Sequence, residues 1–128
     1  MENNRFTIFY DVADFISARN FYHDVLQLKI RHEYDDAGHK CGAIFAVNEH
    51  VDLEIMGPGS GNQQQRPAPE NVRLKFSVAN VDAFYERLQQ SNAEIIEPIA
   101  DKTWGERTFA VRAPDGLLIY VSMDIASK

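Results

Sequence analysis

Two stretches of this chain, 66 residues apart, follow one plan, and that repetition is what most limits the folds open to it. Residues 5–12, "RFTIFYDV", alternate and are rich in aromatic and β-branched types, as a strand is. Asp14 then suits a helix N-cap before "FISARNFYHDVLQL", where Phe15, Ala18, Tyr22, Val25 and Leu26 recur at helical spacing. "LKIRHEY", the turn "DDAG", "HKCGAIFAV" and, after "NEH", "VDLEIM" predict three more strands. The second half runs the same way. "RLKFSV" predicts a strand, Asn80 a cap, and "VDAFYERLQQ" a helix with Val81, Phe84 and Leu88 on one side. "AEIIEP" follows, and two last strands flank "APDG". There Pro114 presets the turn and Gly116 can take the positive φ that closes it.

Short identities support a duplication. Val12-Ala13-Asp14 recurs as Val78-Ala79-Asn80, an offset of 66, and Phe45-Ala46-Val47 as Phe109-Ala110-Val111, an offset of 64. Glu54 meets Tyr120 at 66, which implies a second hairpin turn two residues longer than the first. "GPGSGNQQQRPAPEN", residues 57–71, has the Gly, Pro, Ser and Gln content of an exposed linker. The expected organisation is one 128-residue domain, with module one over 1–57, a linker over 58–71 and module two over 72–128.

Charge and composition remove several classes of function. The net charge is −6 and the 13 Lys and Arg residues are scattered, so the chain lacks the basic face a nucleic-acid binder uses to release counterions. No apolar run approaches the roughly 20 residues that span a bilayer. "MENNRFTIFY" lacks the basic and apolar regions of a signal peptide, and a cytoplasmic location is expected. The single cysteine, Cys41, fits a reducing compartment and reads as a small strand residue.

A duplicated strand-helix-three-strand unit resembles the vicinal oxygen chelate superfamily of glyoxalases, bleomycin-resistance proteins and extradiol dioxygenases. "DFISARNFYHDVLQLKI" is similar to the family's first helix, ending in a Leu-Gly-Leu-like step with Gln27 in place of Gly. "WGERTFAVRAPDGLLIYV" is similar to its closing hairpin, with Ala113 for the common first Asp of Asp-Pro-Asp-Gly. The resemblance implies an α+β fold of two tandem βαβββ modules. Their mixed, largely antiparallel strands form a cupped sheet with helices on the outer face, often completed by a dimer partner. Given that fold, alternation assigns the inward side chains. They are Thr7 and Phe9; Asp52, Glu54 and Met56; Arg73, Lys75 and Ser77; Thr108 and Ala110; and Leu118, Tyr120 and Ser122. Phe6, Ile8, Val51, Leu53, Ile55, Leu74, Phe76, Val78, Phe109, Val111, Leu117, Ile119 and Val121 should pack behind.

Enzymes of the superfamily hold a divalent metal through His and Glu on these inner faces, leaving open positions for substrate oxygens. The resemblance places the four ligand positions on Thr7, Glu54, Arg73 and Tyr120, and of these Glu54 alone is a usual ligand type. A guanidinium stays charged in a protein and repels a cation. His39 and Cys41 share one strand face but make only two ligands beside Gly38 and Gly42, while His23 reads as a solvated helix residue; His32 and His50 add no set. The expectation is therefore no metal and no cofactor.

What remains is a mixed lining: Thr7, Phe9, Asp52, Glu54, Met56, Arg73, Lys75, Leu118 and Tyr120, with Trp104 at the rim. Glu54 and Arg73 also read as a structural ion pair. The pattern resembles the metal-free bleomycin- and mitomycin-resistance proteins. It implies a homodimer that binds or sequesters a drug or metabolite in an aromatic-walled cleft. The alternative is a lyase or isomerase with an atypical site, in which Glu54 is a general base and Tyr120 or Arg73 steadies an enolate oxygen. A third reading is an interaction module that binds a peptide.

Overall fold

The first module opens with strand β1 (Phe6–Asp11), helix α1 (Phe15–Asn20) and a π-helical turn over Phe21–Val25. Strands β2 (Lys29–Asp36), β3 (Lys40–Ala46) and β4 (Val51–Pro58) complete it. The second comprises β5 (Arg73–Ser77), α2 (Val81–Gln90), β6 (Glu94–Lys102), β7 (Glu106–Arg112) and β8 (Leu118–Asp124). The computed structural model describes residues 4–36, 40–58 and 69–126. Two compact units divide just before Pro69. Most of the expected linker, with Ala37, Gly38 and His39, lies outside the described residues.

Both units have one topology. Strand order is β1-β4-β3-β2 in the first and β5-β8-β7-β6 in the second. The β1–β4 and β5–β8 pairs are parallel and the others antiparallel, so each sheet is mixed. Parallel neighbours need a crossover, which α1 and the two following strands supply in the first unit, and α2 with its following strands in the second. The α+β, tandem βαβββ architecture is thus present.

Each helix starts on the expected cap. Asp14 Oδ1 accepts from Ser17 N at 3.1 Å, and Asn80 Oδ1 from Ala83 N at 3.1 Å, so an orphan donor of each first turn is satisfied. The first helix ends earlier than its apolar spacing predicts. Leu26 N donates to Phe21 O (3.0 Å), an i→i+5 bond that widens the last turn. Gln27 then takes φ 60°, the left-handed conformation that favours Gly, and turns the chain into β2. Asn92 plays the same part after α2, also at φ 60°.

The cores sit between helix and sheet. Tyr22, Phe45, Leu53, Ile55 and Val12 are fully buried in the first unit, with the Tyr22 and Phe45 rings 5.7 Å apart. Leu88, Val81, Phe109, Val111, Leu117, Ile119 and Val121 form the second core, where Tyr85 meets Phe109 at 4.9 Å. Gly57 lets β4 run close under α1: a Cβ there would stand 2.9 Å from Phe15 Cβ.

Several expectations change. Asp35 and Asp36 extend β2 instead of opening a turn, because they pair with Cys41 and Lys40. "AEIIEP" continues to Lys102 along β7, with register irregularities on both sides of Glu97. They accommodate Pro98, which has no ladder donor, on an edge strand. Phe6, expected to pack, is 64% exposed: it begins the outermost strand, while α1 lies over β3 and β4.

The two-residue difference between hairpin turns is absent. Ala46 pairs with Asp52 around residues 47–51, and Arg112 with Leu118 around 113–117, so the loops are equal. The offset of 66 holds through both ladders: Thr7↔Asp52 becomes Arg73↔Leu118, and Phe9↔Glu54 becomes Lys75↔Tyr120. Phe109 opposes Val121 as Ala43 opposes Ile55, so the Phe-Ala-Val match at 64 joins positions that are not equivalent in the ladder.

Candidate functional site

Each sheet has a helix-free face, and alternation places the predicted lining residues there. In the first unit Thr7 and Phe9 stand on β1 beside Asp52 and Glu54 on β4. Thr7 and Phe9 are exposed, Glu54 and Met56 partly covered. In the second unit Arg73 and Lys75 stand on β5 beside Leu118 and Tyr120 on β8. Ser122 and Ala110 are fully buried, and Thr108 nearly so; the Thr108 hydroxyl donates to Val121 O at 3.0 Å. These three serve packing more than contact.

Asp52 is only 3% exposed. Its Oδ1 accepts from Arg31 Nε (3.1 Å), Arg31 Nη2 (3.0 Å) and Arg5 Nη1 (3.3 Å). A buried carboxylate without such partners would be costly. Two guanidinium groups therefore cover the acid that the sequence offers as a lining residue.

Glu54 Oε2 accepts from the Tyr34 hydroxyl at 2.9 Å. Tyr34 reaches it by lying across Gly42, its cross-strand partner on β3. A Cβ on Gly42 would fall 2.1 Å from Tyr34 Cζ, so the absent side chain is what admits the ring. His32 stacks on Tyr34 at 6.2 Å. Partial burial, and then the Glu54 carboxylate, push the Tyr34 phenol up to about 12.

The second unit holds a matching bond with its ends exchanged. Tyr120, at the ladder position equivalent to Glu54, donates to Glu97 Oε2 at 2.7 Å; the acid comes from β6 and the phenol from β8. Arg73 Nη1 donates to the same hydroxyl at 3.4 Å, and the Arg73 guanidinium carbon lies 5.6 Å from the Tyr120 ring centre. The bond to Glu97 raises the Tyr120 pKa and the Arg73 charge opposes that rise. Glu54 and Arg73 thus each find a partner within their own unit.

Lys75 pairs with Glu106, whose other oxygen accepts from Trp104 Nε1 at 2.8 Å. Lys75, and then Trp104, hold the Glu106 carboxyl below its usual range. Trp104 is 65% exposed, its nitrogen edge tied down and its ring open. Gly105, at φ 94°, makes the turn that presents it.

Other candidates lie apart from this lining. His23 is exposed and bonds the Asp24 beside it at 2.7 Å. The Cys41 thiol donates to Pro58 O at 3.2 Å and is raised by burial. His39 lies outside the described residues, and among the described residues no three His, Cys, Asp or Glu side chains converge on one point. The donors at the four expected ligand positions do not fit a divalent cation. They comprise a hydroxyl, a carboxylate bonded to a phenol, a permanent cation, and a phenol held protonated by a neighbouring acid.

Sequence reasoning missed Arg5, Arg31, Tyr34, Glu97 and Glu106. Alternation alone does not place Arg31 or Glu97, since both lie at register irregularities, between Ile30 and His32 and between Ile95 and Ala100. Tyr34 had one legible signal, an aromatic ring facing a strand glycine.

Comparison with known proteins bears on the fold. The family model described as a glyoxalase-like domain matches residues 6–126. No curated protein matches the chain. Among solved structures, a glyoxylase/bleomycin resistance protein/dioxygenase domain from Frankia sp. is 17% identical, with a TM-score of 0.72 over 92% of this chain and 94% of that one. TioX from Micromonospora sp. is 18% identical (TM-score 0.71), covering 95% of this chain and 99% of that one. A glyoxalase I mutant from Zea mays is 12% identical with a TM-score of 0.81, covering 96% of this chain and 46% of that one. At such identities the likeness concerns the fold.

Proposed function

Because the chain belongs to the glyoxalase-like domain family, whose enzymes would need ligands this chain lacks, we propose that it binds a small molecule without metal. One observation carries this reading: Glu54 and Tyr120, at equivalent ladder positions, are both engaged in phenol–carboxylate hydrogen bonds. Glu54 is the acid a metal or a proton-abstraction step would need, and here it accepts a proton-bearing partner. Each unit also offers an aromatic surface suited to a flat ligand: Phe9, 53% exposed beside Glu54 in the first, and Trp104, 65% exposed, in the second. Thr7 and Met56 on the first unit's face, and Arg73, Lys75 and Leu118 on the second's, offer mixed polar and apolar contacts, while Asp52 acts through the arginines it holds.

The resemblance to metal-free resistance proteins extends the reading to a cytoplasmic homodimer that sequesters a drug or metabolite. Native mass spectrometry of freshly purified protein tests it. The expected spectrum shows a dimer, no stoichiometric metal and a co-purified organic ligand. A zinc, nickel or manganese content near one per chain, without added metal, overturns the proposal.

A further inference from the structure

One end of the first unit's sheet carries an unassigned cleft of about 610 Å³ lined by Arg5, Lys29, Ile30, Arg31, Ala46, Asn48 and Glu49. It lies where β1, β2 and β4 begin and β3 ends. In a chain of net charge −6, this spot gathers three cations against one lining acid. Behind them is Asp52, nearly fully buried, which takes one N–H from Arg5 and two from Arg31. A guanidinium has more donors than that. Each arginine side chain remains over a third exposed, at 39% and 37%.

We infer that this cleft is a binding site for the oxyanion group, carboxylate or phosphate, of a small molecule. The chemistry follows from the arrangement. Asp52 is a fixed internal counter-ion that orients two flexible cations before any ligand arrives, so less side-chain entropy is lost on binding. An oxyanion then meets planar forks suited to two-point hydrogen bonding, with Lys29 adding charge. Asp52 and Glu49 offset part of the positive charge, leaving the cluster net positive by one if all five groups are ionised. That suits a single anionic group better than a polyanion. The cleft shares Asp52 and its two arginines with the proposed function, but the inference does not rest on that reading, because the cleft is built without Glu54, Tyr120 or Trp104.

Isothermal titration calorimetry at constant ionic strength tests it, with inorganic phosphate and acetate titrated separately in chloride buffer. The expected result is one saturable site for at least one anion, the tighter of the two naming the group the cleft prefers. Arg31→Lys keeps the charge but removes the fork, and should weaken binding about tenfold. Lys29→Gln, at a residue with no ion pair to Asp52 among the described residues, should weaken it about threefold and keeps the test sound if Arg31→Lys fails to fold. Arg112→Gln, at an exposed residue of β7 that bonds Glu94 and Gly116 O, should leave it unchanged. No saturable binding of either anion, or equal weakening by Arg112→Gln and Lys29→Gln, overturns the inference.

Discussion

At the scale of single residues, two positions carry measurable local constraints, one conformational and one electrostatic. Gln27 adopts a left-handed conformation that costs a side-chain-bearing residue about 1 kcal/mol. Gln27→Gly should therefore raise stability by roughly 0.5–1 kcal/mol in urea unfolding, since the local strain outweighs the extra freedom glycine gives the unfolded chain. The second position is Tyr34. Its folded pKa, about 12, exceeds the ordinary value of 10, so the folded state holds the proton more tightly. The stability this bond adds is present below pH 10 and is lost as pH rises from 10 towards 12. Ultraviolet titration of the phenolates should show a late step near pH 12 that Tyr34→Phe removes. Gly42→Ala should bring that step down towards 10, because the new Cβ displaces the ring from Glu54.

At the scale of elements, each helix depends on its cap. Asp14→Ala and Asn80→Ala should each cost about 1 kcal/mol in chemical denaturation, and removal of both should be close to additive. These caps were legible because a capping residue directly before an apolar helical run has one local meaning. The strand pattern of β4, β5 and β8 was legible too, since alternation assigns faces wherever pairing is regular. It does not extend to β2 and β6, where irregularities shift the alternation and bring Arg31 and Glu97 to Asp52 and Tyr120. The caging of Asp52 was hidden for another reason: Arg5 and Arg31 reach it from 47 and 21 residues away, and nothing local records such a contact. The equal ladders make a further test. Replacing residues 113–117 by the sequence of 47–51 should preserve the β7–β8 register, read as unchanged amide-exchange protection of Val111 and Ile119.

At the scale of the whole molecule, acidity is managed by local pairing. Arg107 lowers the Asp82 pKa through hydrogen bonds, and Lys75 lowers that of Glu106, with Trp104 assisting. A depressed carboxylate pKa stabilises the fold above its unfolded value near 4, and that contribution fades as pH falls through the folded one. The melting temperature should accordingly drop between about pH 4.5 and 3. Combining Arg107→Gln with Lys75→Gln should flatten that slope, and calorimetry across the range measures both effects.

The constant offset of 66 residues has a practical consequence. From Thr7 onward, every position in the β1–β4 and β3–β4 ladders has a numbered counterpart in β5–β8 and β7–β8, in different chemical company. A substitution at Glu54 can be repeated in reverse at Tyr120, and one at Phe9 at Lys75. The chain thus carries its own internal control: what the shared backbone dictates should move both sites alike, and what the side chains decide should move only one.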